Sequence, residues 1–149
     1  MPLKTMRFMA LLFTALALAP ALAHLLELPN KIGLPKDDYL TVQQIYRGWA
    51  LLGFVVAGAL LSNLVLAVSV RNKPRAFVLT LIAFFCIVAT QVVFWTFTYP
   101  ANAATVNWTI LPANWQDLRS QWEYSHAASA VLNLIALISL ILSVLAQDE

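Results

Sequence analysis

An all-α fold, a transmembrane four-helix bundle, is what this sequence predicts, and three observations carry the prediction. Of 149 residues, 61% are hydrophobic and only 11% are charged, whereas a soluble domain is about 45–50% apolar and about 25% charged. Four nearly uncharged apolar runs cover approximately residues 8–28, 49–70, 76–99 and 123–146. Each reaches the ~20 residues that a ~30 Å hydrocarbon core requires. Backbone groups in lipid must be satisfied within their own segment, so such runs are helices. The length fits one membrane domain, 1–149.

The same composition excludes other classes. So apolar a chain is not disordered. Nine Lys/Arg against seven Asp/Glu leave a net charge of +2, and no basic patch suited to nucleic acid stands out. Cys86 is the single cysteine, which excludes an internal disulfide, a CxxC redox pair and a cysteine-built zinc site.

The first span follows a basic leader containing Lys4 and Arg7, and Ala21-Leu22-Ala23 fits a signal-peptidase site. The apolar run continues past it through Leu25, Leu26 and Leu28, so an uncleaved helix kinked at Pro20 is expected. Residues 29–35 read as a turn-rich loop. Thr41 and Gln44 resemble a capping box opening the second helix. Gly53/Ala57 and Gly58/Ser62 are small-residue pairs that permit close helix packing. Arg71, Lys73 and Arg75 crowd the link to the third span. Asn63, Gln91 and Asn133 lie deep in their spans, where interhelical hydrogen bonds are expected. Asn114 is the expected N-cap of the last helix.

Alternation of four spans puts Lys4, Arg7 and the 71–75 link on one side. By the positive-inside rule that side is cytoplasmic, with both termini there, in a bacterial inner membrane. All five Trp and all four Tyr then gather at the outer end. Two readings are open: an interfacial aromatic belt, or a shaped aromatic pocket. The same choice applies to the 107–115 segment, which repeats Asn-Trp and contains a formal glycosylation sequon: a lid, or an anchor in the headgroups.

The chemistry-bearing residues also fall at the outer end. Arg119, Glu123, His126, Ala130, Asn133 and Leu137 form one helical stripe. Glu123 and His126 stand three apart, the spacing by which helix-bundle metal sites bring both side chains to one ion. His24 and Glu27 offer a mirrored pair in the first span. Two imidazoles with two carboxylates suit a transition metal such as iron or copper. The other readings are an ion-pair network, with Glu27 or Glu123 paired to Arg47 or Arg119, and a haem clasped by the two histidines. A cleaved leader would leave His24 as an N-terminal copper ligand. Tyr46 and Arg47 open the second span, where Arg47 is placed to hold an anionic or phenolic oxygen, or to snorkel.

The segments around His24–Glu27–Pro29–Asn30, around Gln43–Tyr46–Arg47–Trp49, and the run Arg119-x-x-Trp122-Glu123-x-x-His126 resemble a bacterial family of small four-helix membrane proteins grouped with anthrone oxygenases. The likeness covers nearly the whole chain. The resemblance implies a membrane bundle and cofactor-free or metal-assisted oxidation of a phenolic polycycle. The expected function is thus a metal-assisted oxidoreductase acting on a lipophilic aromatic. His24, Glu27, Glu123 and His126 are the ligands, and Arg47, Arg119 and Tyr46 are the catalytic groups. The alternative is a non-enzymatic membrane subunit whose polar outer end docks a partner.

Overall fold

The computed structural model describes residues 2–146. It is helical over 85% of the chain, with no strand among the described residues. Helix α1 spans Leu3–Lys31, α2 Lys36–Gln43, α3 Leu52–Ser69, α4 Pro74–Val93, α5 Tyr99–Ala104 and α6 Trp115–Leu145. A π-helical turn, Phe94–Thr98, joins α4 to α5, and two short 3₁₀ turns precede α3. Four helical stretches are long and apolar enough to cross a bilayer: Leu3–Lys31, Trp49–Ser69, Pro74–Ala104 and Trp115–Leu145. They form a ring in which α1 packs on α3 and α6, and α4 packs on α3 and α6. Large apolar side chains such as Phe54, Phe85 and Leu61 face outward, as a lipid-solvated multi-pass membrane protein requires.

The core of the bundle is built largely from small residues. Ala10, Ala59, Ala76, Ala83 and Ala136 are fully buried alongside Leu66, Ile87 and Leu140. Gly58 lets α3 approach the Phe13 ring of α1 closely, since a Cβ there would lie 2.6 Å from the ring. Gly53 shows no such approach. Asn63 Nδ2 donates to Thr14 Oγ1 at 3.0 Å across α3 and α1. Asn133 and Gln91 do not do likewise: they bond within their own helices, to the Ser129 carbonyl and Thr90 Oγ1.

The expectations for residues 29–35 and for Thr41 need correction. Helix α1 does not stop before the 29–35 loop but runs through Pro20 and Pro29 to Lys31. Thr41 opens no helix. It lies inside α2, its hydroxyl bonded to the Asp37 carbonyl, because Pro35 starts that helix and Asp37 and Asp38 favour its first turn. The spanning helix starts later, after Gly48, whose φ of +90° suits glycine. The third span is not uniform, because Pro100 has no amide proton for the Thr96 carbonyl. There the chain widens into the π turn, and Gln121 Nε2 of α6 donates to the Phe97 carbonyl at 2.8 Å. Asn114 does precede α6, but it caps through its backbone carbonyl, without a side-chain bond.

Candidate functional site

The end of the bundle that carries both histidines holds a second buried cluster, distinct from the aliphatic core. It contains Tyr39, Ala101, Trp108 and Trp122, with Tyr46 and Trp115 packed against it. The aromatics thus divide. Trp95, Tyr99 and Tyr124 are exposed, as an interfacial belt requires. Tyr39, Trp108 and Trp122 are buried and form walls. Trp108 is therefore no headgroup anchor. Three successive residues in the left-handed region, Val106, Asn107 and Trp108 (φ 49°, 53° and 61°), turn its indole inward. Such residues cost about 1–2 kcal/mol each. The turn is held by the Thr105 hydroxyl and carbonyl and by Asn102, whose Oδ1 accepts from both Trp108 Nε1 and Trp122 Nε1.

Inside these walls the structure stacks His24 on His126 and brings Glu27 and Glu123 to one shared cation, without gathering the four as a metal group. That cation is Lys31, a residue that reading positions 29–35 as a loop had hidden. Its ammonium is 3% exposed and lies 3.4 Å from Glu27 Oε2 and 3.3 Å from Glu123 Oε1. It donates to Tyr46 Oη at 2.5 Å and lies 4.4 and 4.9 Å from the centres of the Tyr46 and Trp122 rings. The ion-pair network therefore exists, but its cation is neither Arg47 nor Arg119. Glu27 and Lys31, four apart on one helix, were the legible signal.

Two phenols complete the network in parallel. Tyr46 Oη donates to Glu27 Oε2. Tyr39 Oη donates to Glu123 Oε1 at 2.9 Å and accepts from Gln43 Nε2 at 2.5 Å. Burial, reinforced by the Glu123 carboxylate, holds the Tyr39 phenol protonated above the usual phenol range. Burial and the bond to Glu27 do the same for Tyr46.

The imidazoles stack, with His24 and His126 ring centroids 4.0 Å apart and planes 26° from parallel. Trp122 stands edge-on to both, 5.0 Å from His24 and 4.3 Å from His126. Tyr46 and Trp49 lie 4.5 and 5.6 Å from His24. His24 Nδ1, His126 Nε2 and Glu123 Oε2 are buried without a hydrogen-bond partner. Buried polar atoms are rarely left so, and here three converge on one cluster.

Arg47 and Arg119 sit apart from the imidazoles. Arg47 is exposed and bonds Gln44 Oε1 at 2.8 Å. Arg119 lies on the Tyr39 and Trp115 rings, 5.4 and 4.7 Å from their centroids. It donates to the Leu34 carbonyl at 2.8 Å, pinning the turn after α1. Among the described residues no group of three or more His, Cys, Asp or Glu is assembled to hold a metal ion. A haem does not fit between the histidines either. Axial imidazoles lie on opposite sides of the iron, each nitrogen ~2 Å away, which the 4.0 Å ring stack excludes. Comparison with protein-family models, with curated proteins and with solved structures found no match.

Proposed function

We propose that this chain is an oxidoreductase of a bacterial inner membrane that accepts a lipophilic hydroxy-aromatic from the bilayer and oxidises it with dioxygen, as the likeness to anthrone oxygenases implies. The observation that carries the reading is the pair of stacked, buried imidazoles with unpartnered nitrogens, His24 Nδ1 and His126 Nε2. A ring nitrogen with no partner offers its lone pair to an incoming proton, and an intramembrane ionisable group marks function by default. The step assigned to these residues is removal of a proton from the activated C–H of a phenolic polycycle. The resulting anion gives its electrons to dioxygen. One oxygen atom stays as the new carbonyl, and the other leaves as water with two substrate hydrogens. Lys31 supplies the positive charge that would stabilise the developing oxyanion through its field, its own N–H groups being engaged by Glu27, Glu123 and Tyr46. That role passes to it from Arg47 and Arg119, whose contacts lie elsewhere.

A metal-assisted version would use His24, Glu27, Glu123 and His126 as ligands to iron or copper. It has less support, since these residues are not gathered as a metal group and an ammonium already stands between the carboxylates. The basic residues Lys4, Arg7 and Arg71, at the end opposite the site, favour cytoplasmic termini.

The test is dioxygen uptake and quinone absorbance with anthrone and related hydroxy-aromatics, using the purified full chain in lipid nanodiscs. Loss of a general base costs about 10²–10⁴-fold, so the rate of His24→Ala/His126→Ala should fall by about that factor. Equal rates for wild type and this double variant would refute the enzymatic reading and leave a binding or scaffold role.

A further inference from the structure

We propose that Lys31 is the resident cation of this site: its ammonium occupies the place between Glu27 and Glu123 that a divalent metal ion would take, and an uncharged residue at position 31 turns this end of the bundle into a metal site.

The cage around the ammonium is what a cation of any kind selects. Two carboxylates approach from α1 and α6 at 3.4 and 3.3 Å. The Tyr46 phenol oxygen stands at 2.5 Å, and the Trp122 ring centre lies 4.9 Å away. Ionised, the two carboxylates and one ammonium sum to a formal charge of −1, and the Glu123 oxygen Oε2 is buried with nothing bonded to it. Without the lysine the formal charge becomes −2, matched by one divalent ion. His24 Nδ1 and His126 Nε2 are unpartnered donors in the same cluster. Metal–oxygen and metal–nitrogen bonds run about 2.0–2.2 Å. Relative to the lysine contacts, then, the carboxylates need close by only about 1 Å. With the ammonium in place, the positive charge repels an ion and its contacts keep Glu27 and Glu123 apart. This accounts for a donor set that reads as a metal site in sequence yet is not assembled as one.

The inference rests on the proposed function only for its catalytic consequence, that the oxidation runs without a metal. The experiment is cobalt(II) binding to the full chain in nanodiscs after stripping with EDTA, read by elemental analysis and by the visible ligand-field band. Lys31→Met should bind about one cobalt per chain with the band of a nitrogen–oxygen site. Wild type and Lys31→Arg should remain at background. Adding Glu123→Gln to Lys31→Met should abolish binding. Stoichiometric uptake by wild type overturns the proposal, and that arm needs no variant to fold. So does a folded Lys31→Met that takes up none. Should Lys31→Met not fold, Lys31→Gly with added n-butylammonium is the second arm: amine-dependent recovery of near-ultraviolet dichroism supports the cage, and its absence overturns it. A wild type free of metal and also without dioxygen uptake would leave this inference standing while removing the oxidase reading.

Discussion

Replacing Tyr39 by Phe deletes one oxygen from the centre of the network and changes little else. The ring is fully buried, and its contacts with Trp108, Trp115 and Arg119 do not involve the hydroxyl. Two bonds are lost: the donation to Glu123 Oε1 at 2.9 Å and the acceptance from Gln43 Nε2 at 2.5 Å. A hydrogen bond to a charged group contributes about 1.5–3 kcal/mol, and a stranded buried donor costs about 1–3 kcal/mol. Gln43 is buried, so little water reaches its amide. The two effects overlap because Gln43 can turn, which sets the expected loss near 3 kcal/mol. The assay is reversible unfolding in mixed micelles by added SDS, followed by near-ultraviolet dichroism at neutral pH. A loss below about 0.5 kcal/mol, the scale of an ordinary surface substitution, would refute the network.

The same pair of proteins tests the protonation of that phenol. Burial raises the folded-state pKa of Tyr39 above its unfolded value. Above pH ~10, therefore, the unfolded chain releases a proton that the folded chain keeps. Fewer protons are then bound in the unfolded state, so stability falls as pH rises, by up to about 1.4 kcal/mol per pH unit for one group. Phe cannot contribute this slope. The stability gap between wild type and Tyr39→Phe should therefore narrow between pH 10 and 11, about the range where a free phenol ionises. A gap that stays constant or widens would mean that Tyr39 ionises in the fold.

Two further substitutions probe the packing around the site. Gly58→Ala puts a methyl 2.6 Å from the Phe13 ring, and overpacking of this kind costs about 1–3 kcal/mol. SDS unfolding should show that loss and its recovery in Gly58→Ala/Phe13→Leu, and an unaffected single variant would refute the contact. Asn102→Leu removes the one oxygen shared by the Trp108 and Trp122 indoles, a loss of about 2 kcal/mol. Acrylamide should then quench tryptophan fluorescence more strongly, and unchanged quenching would show that Asn102 does not hold the inward turn.

Period and composition made the bundle legible. Apolar runs of membrane length appear in sequence because lipid demands them, and their order fixes a ring of antiparallel neighbours. The stripe through Glu123, His126, Ala130 and Asn133 was legible for the same reason. What failed was punctuation. Pro29 and Gly33 read as a loop from 29 onward, yet α1 carries Pro29 in its last turns and delivers Lys31 to the site. Pro35 and the acidic pair Asp37 and Asp38 started a helix that the later Thr41 motif obscured. Tyr39 and Gln43, one turn apart on that short helix, could not be placed from sequence, because their partner Glu123 lies 84 residues beyond Tyr39. The left-handed turn at Val106 was invisible for a different reason. A β-branched residue disfavours that conformation, and it is held by local bonds to Thr105 and Asn102 together with the packing of Trp108 on Tyr39 and Trp122.

The network also answers a problem posed by the aliphatic core. The buried faces of α1 and α6 consist largely of small side chains, Ala10, Ala17 and Ala21 on one and Ala130, Ala136 and Ser139 on the other. Such faces allow close approach in a membrane but mark one register only weakly against a neighbouring one. Directional bonds discriminate where methyl groups do not, as a single buried polar residue fixes register in a coiled coil. Lys31 meets Glu123, and Tyr39 meets it from the turn beyond. A slip of α6 by one turn, ~5.4 Å, would break both contacts and leave a buried carboxylate uncompensated, a penalty of about 3–5 kcal/mol. Lys31 is placed for this because it ends α1, where the partial negative charge of the helix terminus also favours a cation. The groups proposed to do the chemistry are thereby the groups that align the first and last spans.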